Sequence, residues 1–217
     1  MTLLAYLRLS ETRVLFFSDT AELHNVPAQN DALITTSVAK FQTAKFGNLN
    51  VFWGWSGADD RARRFESRMV GFKGRSWDEL LQASQEEVKR ANESASPGPN
   101  DTLASLKVIL AQSNEDRVRV VAIDSVGGTV SEVEGFAVLT PVFDKLLRAQ
   151  WLSLSKVEST RTPLNLRIAI EGVISLCYIL VGPTMSWMMD SKGVTSSDWS
   201  NSTMSEPTNS KKTGADK

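Results

Sequence analysis

The sequence predicts an α+β layered domain. Three observations carry that expectation: two short apolar runs at the start joined by a turn, a switch of apolar spacing from two to about 3.6 near residue 59, and a second half that repeats the order of strands followed by helices. Leu3 to Leu9 and Val14 to Ser18 are the opening runs. Ser10-Glu11-Thr12-Arg13 between them is short and polar enough for a hairpin. Leu33 to Phe41, rich in Thr and Val, reads as a further strand. In Asn50 to Ser56 the alternation puts Val51, Trp53 and Trp55 on one side of another. The two tryptophans are expected to fill core beneath a helix layer rather than to stack on a substrate.

Asp59 to Val70 carries Ala62, Phe65 and Met69 at spacings of 3 and 4, an amphipathic helix. Ser76-Trp77-Asp78-Glu79 has the spacing in which a hydroxyl caps a backbone N–H and a glutamate reaches back, so a second helix is expected to about Ala91. Trp77, Leu80 and Leu81 on it are read as core in preference to an interface. Pro97-Gly98-Pro99 marks a loop. Thr102 to Gln112 fits helix and strand equally. Arg117 to Asp124 alternates as a strand, with Gly127-Gly128 as its turn. Helices are expected over Pro141 to Trp151 and from Thr162-Pro163 to Val181, the latter apolar nearly all round and so central. From about Thr195 the chain is too polar to recover its ordering entropy, which divides it into a domain over 1–194 and a disordered tail over 195–217.

Composition narrows the function. The 217 residues carry 24 Lys plus Arg against 25 Asp plus Glu, a formal charge of -1 that offers no field for steering toward nucleic acid or an acidic membrane. A hydrophobic share of 41% with 23% charged residues excludes collagen-like, coiled-coil and wholly disordered chains. With Cys177 and His24 the sole residues of their kinds, a disulfide framework, a zinc cluster and a Ser-His-Asp triad are poorly supplied. Cys177 reads as a small buried hydrophobe and His24 as a surface loop residue. The N-terminus shows no basic leader before a long apolar stretch. The longest apolar run, Val173 to Val181, is far shorter than the ~20 residues that span a bilayer. A soluble, cytoplasmic protein without metal or cofactor is expected.

Thr2 opening the first strand, Val14-Leu15-Phe16-Phe17-Ser18-Asp19 ending in an aspartate, Ser37-Val38-Ala39-Lys40-Phe41, Ser56-Gly57 ahead of a helix, and Gly127-Gly128-Thr129-Val130 stand in one register. Over roughly residues 1 to 175 this pattern resembles the proteasome β-subunits and related bacterial peptidase rings. The resemblance implies a four-layer αββα sandwich of the N-terminal nucleophile hydrolase type and a threonine-type peptidase activity on peptides or unfolded protein. It also implies a homo-oligomeric ring. Removal of Met1 would leave Thr2 with its hydroxyl and α-amino group on one residue; that amine, with a pKa near ~8, takes the hydroxyl proton without a histidine. The resemblance further implies that the Gly57 amide serves the oxyanion and that Asp19 holds the charge network beneath Thr2. Taken alone, Asp19 is also the residue type that turns place at strand ends, and Gly57 suits any tight backbone position.

There are departures from the pattern. The family's lysine aligns with Thr36, and Lys40, read as four residues further along the same strand, would lie ~13 Å away. Asp190-Ser191-Lys192-Gly193 is only faintly similar to a late aspartate and serine of the family, and takes no role. The closing apolar strands are not recognisable before the polar tail. Loss of the lysine implies weak or absent activity. Two readings therefore stand: an altered threonine hydrolase, or a non-catalytic subunit or binding scaffold of the same fold.

Overall fold

The computed structural model describes residues 4–19, 21–24, 33–36, 39–93, 105–114, 116–123, 130–131, 136–139 and 184–198. The expected hairpin forms: β1 (Leu4–Ser10) pairs antiparallel with β2 (Arg13–Asp19), Leu4 opposite Ser18 and Ser10 opposite Arg13. β3 (Ala21–His24) and β4 (Leu33–Thr36) make a separate two-stranded ribbon. β5 (Phe41–Phe46) and β6 (Leu49–Ser56) are the next antiparallel pair. Leu33 to Phe41 is therefore not one strand. Its first part takes β3 as partner and Phe41 begins a strand of another sheet, because ladder partners rather than local composition decide where a strand stops. His24 belongs to β3, paired with Leu33, and not to a loop.

Two helices follow, α1 (Asp59–Val70) and α2 (Trp77–Glu93). The capping box is present in both directions: the Glu79 amide donates to Ser76 Oγ at 3.2 Å, and Glu79 Oε2 accepts the Ser76 and Arg75 amides at 3.1 and 2.7 Å. The ambiguous segment after residue 102 resolves as β7 (Lys107–Ser113), which pairs with β6 and with β8 (Val118–Ile123). β9 (Val130–Ser131) pairs with β8, β10 (Phe136–Leu139) with β1. The proposed Gly127-Gly128 turn, the Pro97-Gly98-Pro99 loop, the helices over 141–151 and 162–181, and Cys177 lie outside the described residues.

The closing strands are present after all. β11 (Thr184–Asp190) pairs with β2, Trp187 opposite Phe16, and β12 (Gly193–Asp198) pairs with β11. β12 passes the boundary drawn at residue 194. Its Thr195, Ser196 and Ser197 give no apolar alternation, but an edge strand is held by its backbone ladder and its neighbour's side chains. Asp190 to Gly193 is simply the turn of this hairpin, where the Lys192 amide donates to Asp190 Oδ1 at 2.7 Å.

The sheet order is β10-β1-β2-β11-β12 in one sheet and β5-β6-β7-β8-β9 in the other. Leu4, Tyr6, Val14, Phe16, Trp187 and Met189 of the first pack against Phe41, Phe52, Ile109, Ala111, Val120 and Ala122 of the second. Alternation sends the other residues of the second sheet outward, where Val51, Trp53, Val108, Leu110 and Val121 meet Phe65, Met69, Trp77 and Leu80 of the helices. This is the helix layer expected over the tryptophans, with Trp55 partly buried against it. The far face of the first sheet, Ala5, Leu7, Leu15 and Phe17, is buried as well, as a sheet covered on both sides requires.

Candidate functional site

The sandwich has two unlike ends. At one, the Val118 amide donates to the Glu11 carbonyl at 2.8 Å and the Ser113 hydroxyl to the Asp190 carbonyl at 2.9 Å, tying both hairpin turns of the first sheet to the second. Following the strands away from these ties leads to Leu4, Asp19 and Thr184 on the first sheet. On the second it leads to the start of β5 and to the paired Ser56 and Lys107, where β6 ends and β7 begins. Polar residues are buried at this opposite end: Ser18 at 0% exposed, Asp19 at 1%, Lys40 at 5% and Ser56 at 1%. Buried charge away from water is unfavourable unless something in the fold uses or offsets it.

Each member arrives there for a local reason. Ser18 and Asp19 end β2; Ser18, opposite Leu4, shares the inter-sheet face with Phe16, whereas alternation puts Asp19 with Phe17 on the other face. The Ser18 hydroxyl has no hydrogen-bond partner among the described residues. Gly57 leaves β6 with φ 119°, a backbone conformation that L side chains rarely adopt, so glycine is required. It precedes Ala58, the N-cap of α1, which caps with no side chain. The first amides of α1 thus begin directly after the turn.

Lys40 is the residue sequence reasoning misplaced. It does not lie on a strand with Thr36, because β4 ends at Thr36 and Lys40 sits at the bend before β5, whose first residue, Phe41, is opposite Gly54. A signal was available: from Phe41 to Phe46 apolar and polar residues alternate in places, which makes Lys40 the residue before a strand rather than one near the end of another. Thr2 lies outside the described residues. Among the described residues no group of three or more His, Cys, Asp or Glu is placed to hold a metal ion, and no helix is long and apolar enough to cross a membrane.

Solved structures share this fold. Anbu from Hyphomicrobium sp. strain MC1 superimposes with a TM-score of 0.64 at 14% identity, covering 90% of this chain and 86% of that one. Anbu, the ancestral beta-subunit, from Yersinia bercovieri gives 0.62 at 15% identity over 89% and 86%. The crystal structure of eukaryotic HslV from Trypanosoma brucei gives 0.57 at 14% identity over 87% and 99%. The fold is that of the proteasome-like N-terminal nucleophile hydrolases. No protein-family model matches the chain, and no curated protein does. At such identities the likeness fixes architecture, which makes the residues at the polar end the basis for any statement about chemistry.

Proposed function

We propose that the protein is a threonine-type N-terminal nucleophile hydrolase acting on peptide bonds, with Lys40 rather than Thr36 in the place of the family's lysine. The observation that carries this reading is the buried lysine at the same end of the sandwich as Asp19 and the positive-φ Gly57. Thr2 stands two residues before Leu4, the first residue of β1, in the sequence. After loss of Met1, the Thr2 α-amine accepts the proton of its own hydroxyl as Oγ1 attacks the scissile carbonyl. The Gly57 amide donates to the oxyanion, the amine leaves with that proton, and water hydrolyses the resulting ester. Lys40 favours the neutral amine by its charge, and Asp19 is the buried acidic residue of the same end.

Intact mass together with fluorogenic-peptide hydrolysis tests the reading. Loss of Met1 with turnover that Thr2→Ala abolishes is expected. Retention of Met1, or equal turnover by both proteins, overturns it in favour of the scaffold alternative. A homo-oligomeric ring belongs to the same proposal, supported by the likeness to Anbu, a protein described as a subunit. Light scattering showing a monomer at micromolar concentration would contradict it.

A further inference from the structure

One polar network outside the reacting groups ties together the elements on either side of Gly57. Arg61, one turn into α1 and only 5% exposed, donates from Nη1 to Asn92 Oδ1 at 3.2 Å. The same Asn92 oxygen accepts the Leu106 amide at 2.7 Å, and Asn92 Nδ2 donates to the Leu106 carbonyl at 3.1 Å. Asn92 thus treats Leu106 as a strand neighbour would, bonding both its backbone groups from the end of α2. Leu106 is fully buried and precedes Lys107, the strand partner of Ser56. On the other side, the Arg61 amide donates to the Ala58 carbonyl at 3.1 Å. Gly57 therefore hangs between two supports, the last rung of β6 with β7 and the first turn of α1. The Arg61 and Asn92 side chains join those supports to each other.

We propose that Arg61 and Asn92 form a clamp that positions the Gly57 amide, making both positioning residues for the oxyanion turn; the proposal rests on the hydrolase reading above. Removing one member of a buried hydrogen-bonded set leaves the others unsatisfied, so loss of the Arg61 guanidinium costs stability, and the cost is expected to concentrate in the segments that the network joins.

Arg61→Met tests this, with Asn92→Ala as a second variant and Arg61→Lys as the conservative control. In Arg61→Met amide exchange within 55–58 and 105–108 rises roughly tenfold more than that of the β1–β2 hairpin. Turnover of a fluorogenic peptide falls roughly tenfold in kcat at constant KM, a fraction of what losing an oxyanion donor outright would bring. Arg61→Lys, keeping charge and one donor, restores part of both. Unchanged exchange in the two segments overturns the clamp, as does a rise in KM at constant kcat. If the unmodified protein cleaves no peptide, the hydrolase reading fails. The exchange comparison then decides the clamp alone, faster exchange supporting it and unchanged exchange rejecting it.

Discussion

At the tied end of the sandwich, backbone carbonyls of Glu11 and Asp190 each take a hydrogen bond from the facing sheet, and the charged side chains around the turns stay in solvent. At the opposite end the balance reverses, with Ser18, Asp19, Lys40 and Ser56 all buried. The first arrangement ties the two sheets through exposed turns; the second takes polar and charged side chains out of water, which costs desolvation that their contacts must offset. Between the ends lies an aromatic cluster. Phe16 meets Phe52 at 5.1 Å and Phe41 at 5.4 Å between ring centroids, and Trp187 meets Phe41 at 5.3 Å. A packed middle with one end tied by hydrogen bonds is a frame on which the opposite end can hold buried polar groups in place.

Substitutions separate the two ends. The largest expected effect is that of Lys40→Met, which lowers peptide turnover roughly 10²–10⁴-fold while leaving the thermal midpoint unchanged or higher, since a buried charge is exchanged for an apolar chain. A loss of stability with turnover intact would make Lys40 structural. Phe16→Ala, in the shared middle, lowers stability by about 3–5 kcal/mol in urea unfolding, because its ring is fully buried and faces three others.

Gly54→Ala comes next. An added Cβ would lie 2.5 Å from the Phe41 ring, and moving that ring shifts the start of β5 beside Lys40. A loss of about 1–3 kcal/mol in urea unfolding, accompanied by lower turnover, is expected. At the tied end, Ser113→Ala removes one hydrogen bond and costs about 1 kcal/mol with no change in kcat, the counterpart of the lysine result.

The smallest effect sits on the helix layer, remote from both ends. Backbone amides of Arg75 and Ser76 donating to the Glu79 carboxylate hold its pKa below the ordinary 4.5. A folded-state pKa below the unfolded one stabilises above that ordinary value, and the contribution disappears as pH falls through the lowered one. Glu79→Gln therefore lowers the thermal midpoint slightly at pH 7, and the two proteins converge in acid, once the pH has fallen through the lowered pKa. A difference that persists in acid would assign the stabilisation to the side chain's packing instead.

What local pattern could decide was legible. The Ser10–Arg13 turn, the tryptophan strand, the 3.6 spacing of Ala62, Phe65 and Met69, and the capping box at Ser76 all form as their residues dictate. Each depends on neighbours within a few positions in the chain. The errors came where the partner is remote. Leu33 to Phe41 reads as one strand because nothing in it announces that Leu33 pairs with His24 and Phe41 with Gly54. β12 was lost in a polar tail because Thr195 to Ser197 are held by β11 and not by their own hydrophobicity.

The amino-acid order by itself determined the α+β layering, both described helices and the presence of Asp19 and Gly57 at strand ends, since alternation, helical spacing and turn chemistry are properties of short segments. Only the tertiary structure decided that Lys40 is buried at the same end as those two residues. Burial of a side chain depends on which distant strands close over it, and that information is carried by the register between sheets rather than by the residue's own surroundings in sequence.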